Sequence, residues 1–270
     1  MKLAVALRHQ YLKRSDRILG LLDLPVQAWT MDEYHVLRVE IKKLMALLSL
    51  IKDCNPDFKH KKVSRIMKAI FAPAGNIRET QILISALKHF QLTHSLPGYI
   101  QKLNQDLETA IALYESDIRE RLKRNFRKAS KKCLSHMSSA KRKKATAYLS
   151  KKKEELARML TTQESDSRTL HDLRKKIKDL FFLEKFVLPG GQPDVHMYTL
   201  QEMIGTWHDE IVMCSALSQS AKDEQIPRSE REVLANLLNI MSLEGERLQH
   251  KIIETLQDLY PPDNGDTHIS

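Results

Sequence analysis

Two short sets of basic residues recur along this chain with the same internal spacing. In each set, an arginine follows a histidine by three residues and a lysine follows that arginine by four. The members are His35, Arg38 and Lys42 in the first set and His171, Arg174 and Lys178, each 136 residues later, in the second. An imidazole, a guanidinium and an ammonium group supply positive charge and hydrogen-bond donors, so the sets predict a surface that binds anions.

Both sets are predicted to lie on helices, because positions 0, +3 and +7 share one face of an α-helix. Apolar residues fall on the opposite side of each helix and repeat at the same interval. They are Leu37, Ile41 and Leu44 in the first copy and Leu173, Ile177 and Leu180 in the second. The pattern predicts a duplicated helical unit that buries one flank and presents cations on the other.

A solvated helix surface is the alternative interpretation, since cations opposite an apolar face are common in amphipathic helices. Such a surface accepts any polar residue, whereas here three residue types return in the same order, which favours a function. Three nearby carboxylates are candidates for orienting the cations, with ordinary surface salt bridges as the alternative role. They are Glu40, Glu79 and Asp209.

Composition predicts an all-α protein. Of the 270 residues, 42% are hydrophobic, which is enough to build a substantial core. Glycine and proline are few, and helical periodicity recurs without sustained alternation of β-branched residues. The N-terminal segment lacks the apolar core of a signal peptide and no apolar run is long enough to span a bilayer, so a cytoplasmic protein is expected.

Local signals predict where helices begin and end. Thr30 and Glu33 form a predicted capping box before the first cationic helix, which should end near Cys54. Pro73 is expected to end a helix over residues 57–72, with a new helix starting at Asn76.

The polar segment at 161–167 predicts a linker between two halves of the chain. The first half is then expected at 1–160 and the second at 161–260. Residues 261–270 are expected to form a disordered tail.

Positive charge is concentrated in the middle of the chain. The formal net charge is +10, and residues 119–153 hold fifteen lysines and arginines against one acidic residue, Glu120. A field of this kind attracts polyanions such as nucleic acid, polyphosphate or an acidic membrane surface. A solvated basic helix that only aids solubility is the alternative.

These motifs resemble the CHAD domain, the conserved histidine α-helical domain. The family's hallmark is a His-x-x-Arg-x-x-x-Lys helix in each of two similar helical bundles, and HVLRVEIKKL and HDLRKKIKDL match it. The segments IRETQILISAL and LQEMIGTWHDEIV resemble the family's Arg-Asp and Leu-Gly-x-x-x-Asp segments. The resemblance covers nearly the whole chain.

The resemblance implies two four-helix-bundle-like halves related by pseudo-twofold symmetry around a basic groove or pore. It also implies non-enzymatic binding of inorganic polyphosphate, with an association with polyphosphate granules as a further expectation. The expected polyphosphate-binding residues are His35, Arg38, Lys42, Lys43, Arg78, Arg124, Arg127, Lys131, His171, Arg174, Lys175 and Lys178.

Four positions depart from the family pattern. Met45 and Asp179 stand where basic residues are expected, and Glu79 stands where an aspartate is usual. His208 precedes Asp209 at the place where the first half has an arginine. These departures predict a shallower or differently placed basic surface.

A nucleic-acid-binding module is the main alternative function, because the basic segment would also attract a nucleic-acid backbone. Only Phe126 and Tyr148 are aromatic between residues 119 and 153, fewer than single-strand binders usually offer for base stacking. The chain has no G-x-x-x-x-G-K-[ST], H-E-x-x-H or G-x-S-x-G motif, so no catalytic residue is predicted. No cofactor and no metal site are predicted, and the oligomeric state stays open.

Overall fold

The computed structural model describes residues 3–137, 140–161, 166–188 and 195–259. Across these ranges the chain forms nine α-helices and no β-strand, which confirms the predicted all-α fold. The helices are α1 (Leu3–Asp23), α2 (Met31–Cys54), α3 (His60–His89), α4 (Pro97–Asp117), α5 (Lys123–His136), α6 (Arg142–Thr161), α7 (Ser167–Val187), α8 (Val195–Ala221) and α9 (Arg228–Leu259). Within the same ranges, no helix combines the length and the apolar character needed to cross a membrane.

α2 begins at the predicted capping box. The Thr30 hydroxyl accepts a hydrogen bond from the backbone N–H of Asp32 at 3.2 Å. In return, the backbone N–H of Thr30 donates to the Glu33 carboxylate at 2.7 Å. These bonds occupy N–H groups that a helix start would otherwise leave without partners. The predicted start of α2 and its predicted end at Cys54 are both confirmed.

α3 departs from the prediction, because the expected break at Pro73 is wrong. A single helix runs from His60 to His89 and contains Pro73 in its interior. Proline lacks an N–H group and pushes against the carbonyl four residues earlier, so an interior proline normally interrupts helical hydrogen bonding. In α3 the helix continues past Pro73, and side chains from two other helices contact it close to the proline.

Side chains of α2 and α4 donate hydrogen bonds to the carbonyls just before Pro73. The Tyr114 hydroxyl donates to the Ile70 carbonyl at 3.0 Å, and Arg38 Nη1 donates to the Phe71 carbonyl at 3.4 Å. Tyr114 and Arg38 lie 44 and 33 residues away in sequence from these carbonyls. A local sequence pattern therefore cannot reveal that the helix continues.

Replacing Tyr114 with phenylalanine is expected to lower the free energy of unfolding by about 1 kcal/mol, because the Ile70 carbonyl loses a buried donor. Tyr34→Phe is the matched control, since the buried Tyr34 hydroxyl has no hydrogen-bond partner among the described residues. We expect no loss of stability in that control. Urea unfolding of both variants tests the prediction, and equal losses would contradict it.

α4 and α5 are joined by one π-helical turn, Ile118–Leu122, so helical structure is continuous from Pro97 to His136. α5 then ends at His136 and α6 begins at Arg142.

The helices group into two compact units. The first contains the described residues of Met1–Tyr148 and Phe182–Pro189, and the second contains those of Leu149–Phe181 and Gly190–Ser270. The boundaries between the two units lie within α6 and within α7. Residues 162–165 of the predicted linker and the whole predicted tail lie outside the described residues.

Four helices of the first unit surround a common core. α2 packs against α1 and α3, and α5 also packs against α1 and α3. Within residues 3–137, no comparable packing joins α2 to α5, so these two helices lie diagonally across the core. The core between the helices includes the fully buried side chains of Tyr11, Leu37, Ile41 and Phe126.

The second unit is built mainly on the pairing of α8 with α9. Trp207 and Ile204 of α8 are buried, as are Leu234 and Ile252 of α9. Burial of large apolar side chains on both helices supplies the main stabilising contribution to this pair.

Candidate functional site

The first basic set lies on one side of α2, as predicted. His35 is exposed and Lys42 is half-buried, whereas Leu37 and Ile41 on the opposite side are fully buried. The side chain of Arg38 is only 18% exposed. This arginine is therefore held against the protein rather than extended into solvent.

Arg38 is fixed by contacts with α3. Its guanidinium lies over the Phe71 ring, 4.2 Å from the ring centroid, and Lys42 Nζ lies 5.6 Å from the same centroid. Arg38 Nη2 also lies 3.6 Å from a carboxylate oxygen of Glu79. Stacking, the bond to the Phe71 carbonyl and the ion pair together hold the guanidinium in one orientation.

Gly75 allows this close approach of Arg38 to α3. A Cβ atom at position 75 would overlap Arg38 Nη1, so the absence of a side chain leaves the space in which the guanidinium lies. Gly75 and Phe71 are not among the predicted site residues. A second repeated spacing in the sequence points to the glycine: Gly75 precedes Glu79 by four residues, and Gly205 precedes Asp209 by four.

The second basic set repeats part of this arrangement in the second unit. Arg174 is 13% exposed, and its Nη2 lies 4.0 Å from a carboxylate oxygen of Asp209 on α8. A Cβ atom at Gly205 would meet nothing within 4 Å. The pairing of the motif arginine with a carboxylate on the following helix thus recurs, whereas the tight contact with glycine does not.

His171 and His208 form a contacting pair between α7 and α8. Their Nδ1 atoms are 3.3 Å apart and their ring centroids 4.9 Å apart, so one ring can donate a hydrogen bond to the other. Burial and the neighbouring Lys175 lower the pKa of His171. No group of three or more His, Cys, Asp or Glu side chains with metal-binding geometry occurs among the described residues.

Arg78 of the first unit corresponds in the repeat to His208 of the second unit, because each follows the repeated glycine by three residues. Arg38 of α2 contacts Gly75 of α3. His35 precedes Arg38 by three residues, and Arg78 follows Gly75 by three residues. The corresponding pair in the second unit is His171 and His208, which are in contact. The duplication therefore extends from the motif to the packing of the helix that follows it.

Arg78 carries a buried donor for which the described part of the chain offers no acceptor. Its side chain is half-buried, and no acceptor among the described residues bonds the buried Nε atom. An unpaired buried donor is costly, and a guanidinium donor suits an anion. This predicted site residue lies one turn along α3 from Gly75, which Arg38 contacts.

Glu40 and Lys43 lie towards α1 rather than beside Glu79. The Glu40 side chain is 2% exposed and is approached by Arg14 at 3.3 Å, Arg17 at 3.9 Å and Lys43 at 2.9 Å. Glu40 thus neutralises a cluster of cations between α1 and α2. In the second unit, Lys175 pairs with Asp172 at 3.3 Å, and Lys178 is half-buried.

Three other predicted site residues lie on a different surface. Arg124, Arg127 and Lys131 are exposed on α5, which lies diagonally across the core from α2. Arg127 also lies 3.6 Å from Asp23 at the end of α1. These three cations therefore lie on a helix diagonal to α2, the helix that carries His35, Arg38 and Lys42.

Gly75→Ala is expected to weaken anion binding, while Gly205→Ala is expected to leave it unchanged. Both changes place alanine inside a helix, where it favours helix formation by up to about 1 kcal/mol relative to glycine. Only the first displaces Arg38 from its contacts with α3. Polyphosphate titration of both variants tests the difference, and equal affinities would contradict it.

Comparisons with known proteins agree with this architecture. The family profile described as CHAD domain matches residues 16–218. The crystal structure of the CHAD domain from the plant Ricinus communis is similar with a TM-score of 0.77 and 12% identity, covering 95% of this chain and 92% of that one. PptA from Streptomyces chartreusis is similar with a TM-score of 0.68 and 15% identity, covering 95% of this chain and 100% of that one. No curated protein sequence matches the chain.

Proposed function

Because this chain belongs to the CHAD domain family, we propose that it binds inorganic polyphosphate through the basic sets on α2 and α7. One observation carries the proposal. In each unit, the motif arginine lies within ion-pair distance of a carboxylate on the following helix, Arg38 of Glu79 and Arg174 of Asp209. Such a repeated and paired guanidinium suits repeated phosphate groups better than a randomly solvated surface does.

Binding would combine directional hydrogen bonds with a less directional charge interaction. Arg38 and Arg174 can each direct two N–H groups at two oxygens of a phosphate. Lys42 and Lys178 act as point charges that tolerate sliding of a polymer of identical units. Release of the counterions that surround the polymer adds a favourable entropy.

Arg78 supports the same proposal in the first unit. Its side chain is half-buried on α3, one turn beyond Gly75, where Arg38 contacts that helix, so its guanidinium adds positive charge near Arg38. We also propose that the two basic sets bind one polymer, in line with the basic groove implied by the family. Polyphosphate long enough to reach both sets should then bind much more tightly than short chains do.

A binding assay with competition tests the proposed function. Polyphosphate titrated at two salt concentrations should bind more weakly at the higher salt, because each phosphate contact releases counterions. RNA or DNA added at equal phosphate concentration and moderate salt should not displace it. Displacement by nucleic acid, or absence of polyphosphate binding, would refute the proposal.

Binding without catalysis is part of the same proposal. Pure protein incubated with divalent metal should release no phosphate from polyphosphate, triphosphate or nucleoside triphosphates. Phosphate release that depends on Arg38 or Arg174 would refute this part, while leaving binding itself in place.

Affinity is expected to strengthen as pH falls from about 8 to 6. Burial and then Lys175 lower the pKa of His171 in the free protein, whereas a bound phosphate stabilises the cationic ring and raises that pKa. Binding therefore takes up a proton between the two pKa values, so lower pH favours it. Titration against pH should give a flatter slope for His171→Ala than for His250→Ala, which is exposed on α9. Equal slopes would contradict a role for His171.

A further inference from the structure

α5 presents a broad cationic surface to solvent, which we call the α5 face. Its exposed members share one side of the helix, and α5 contains no acidic residue. The opposite side is buried and includes Phe126 and Cys133. The exposed members of the α5 face are Arg124, Arg127, Lys128, Lys131 and Lys132.

The spacing within the α5 face brings like charges close together. Arg124 precedes Lys128 by four residues, and Lys128 precedes Lys131 by three. Like charges at these spacings repel one another along a helix and destabilise it. Asp23 contacts Lys123 and Arg127 at one edge of the face. A bound polyanion would relieve the repulsion among the remaining members.

The chemistry of the α5 face favours a polymer of phosphates without bases. The face offers charge and donors over about 12 Å from Arg124 to Lys132 at 1.5 Å per residue, which suits an extended chain. Phe126 is fully buried, so it cannot stack on a nucleotide base. The apolar side of α5 is used in the core and is not available to enter a membrane surface.

The α5 face is separate from the basic set on α2. α2 and α5 each pack against α1 and α3 but not comparably against each other, so they are diagonal across the core of the first unit. One polyphosphate segment on α2 therefore does not occupy the α5 face. Each surface is free to meet its own segment.

We propose that the α5 face binds a second polyphosphate segment, so that one protein molecule joins two polyphosphate chains. This inference rests on the proposed function, and it adds bridging to simple binding. It also accounts for a basic tract that the repeated His, Arg and Lys motif leaves unexplained.

A sandwich assay tests the inference. Protein is bound to immobilised polyphosphate, washed, and then exposed to fluorescently labelled polyphosphate. The parent protein should capture the labelled chain. Arg124→Gln/Lys128→Gln/Lys131→Gln should still bind the immobilised chain but should capture about tenfold less labelled chain, because three phosphate contacts are lost.

The matched control is Arg228→Gln/Arg247→Gln/Lys251→Gln, which removes three exposed charges from α9. Capture by the control should equal that of the parent. Equal capture by the α5 and α9 variants would overturn the inference while leaving the proposed function intact. Preferential capture of labelled RNA or DNA over polyphosphate at equal phosphate concentration would also overturn it. Failure of the parent to bind immobilised polyphosphate would instead refute the proposed function.

Discussion

Replacing Arg38 and Arg174 together with alanine is expected to weaken polyphosphate binding about 100-fold at low salt, since a hydrogen bond to a charged group contributes at least about 1.5 kcal/mol. Both arginines are mostly buried and oriented by carboxylates, so little conformational freedom remains to be lost when phosphate binds. The slope of log affinity against log salt should also become shallower by about 1.4, from two lost contacts. Fluorescence titration over a salt series measures both quantities.

The control for this variant is Arg228→Ala/Arg247→Ala, which removes the same charge from exposed positions on α9. We expect its affinity to stay within about twofold of the parent. Arg38 also bonds the Phe71 carbonyl, so urea unfolding should be recorded in parallel to separate binding from stability. Arg38→Lys/Arg174→Lys keeps the charge but loses the paired N–H geometry, and it should still bind less tightly than the parent. Parent-like affinity in the alanine variant would end the proposed role of these arginines.

Replacing Glu40 with alanine is expected to lower the free energy of unfolding by about 3 kcal/mol, because it leaves buried positive charge without a partner. Glu40 is almost fully buried and is approached by Arg14, Arg17 and Lys43. Arg14 is itself only 16% exposed, so water cannot replace the lost carboxylate efficiently. Urea unfolding monitored by circular dichroism measures the change.

Glu79→Ala is the comparison for Glu40→Ala. Glu79 also pairs with an arginine, but its side chain is 46% exposed, so its loss should cost less than about 1 kcal/mol. Glu79→Ala should instead lower the affinity for polyphosphate, since the Glu79 carboxylate pairs with Arg38. A Glu40 variant no less stable than the Glu79 variant would contradict the structural role assigned to Glu40.

Periodicity and capping signals in the sequence predicted the all-α fold and the bounds of α2, because these depend on residues close together in the chain. The capping box at Thr30 needs only Glu33, three residues away. The opposite faces of α2 follow from the same local spacing, with Leu37 and Ile41 buried and His35 exposed.

The missed features depend on residues distant in sequence. α3 continues through Pro73 where Tyr114 and Arg38, from other helices, bond the carbonyls of Ile70 and Phe71. The separation of Arg124 and Lys131 from the α2 set follows from which helices α5 packs against, and net charge contains no information about that. Gly75 was interpreted as part of a helix end, although its role is to leave room for the guanidinium of Arg38. The polyphosphate-binding roles of these residues stay predictions.

The hydrogen bonds next to Pro73 in α3 affect how the first unit unfolds. The carbonyls of Ile70 and Phe71, just before Pro73, accept hydrogen bonds from α4 and α2, so undocking of either neighbour removes a contact from the middle of α3. Amide hydrogen exchange in the middle of α3 should therefore report opening of the three-helix assembly rather than local fraying. Helices α2, α3 and α4 are thus expected to unfold as one cooperative block, with Arg38 linking the proposed polyphosphate-binding surface to that block.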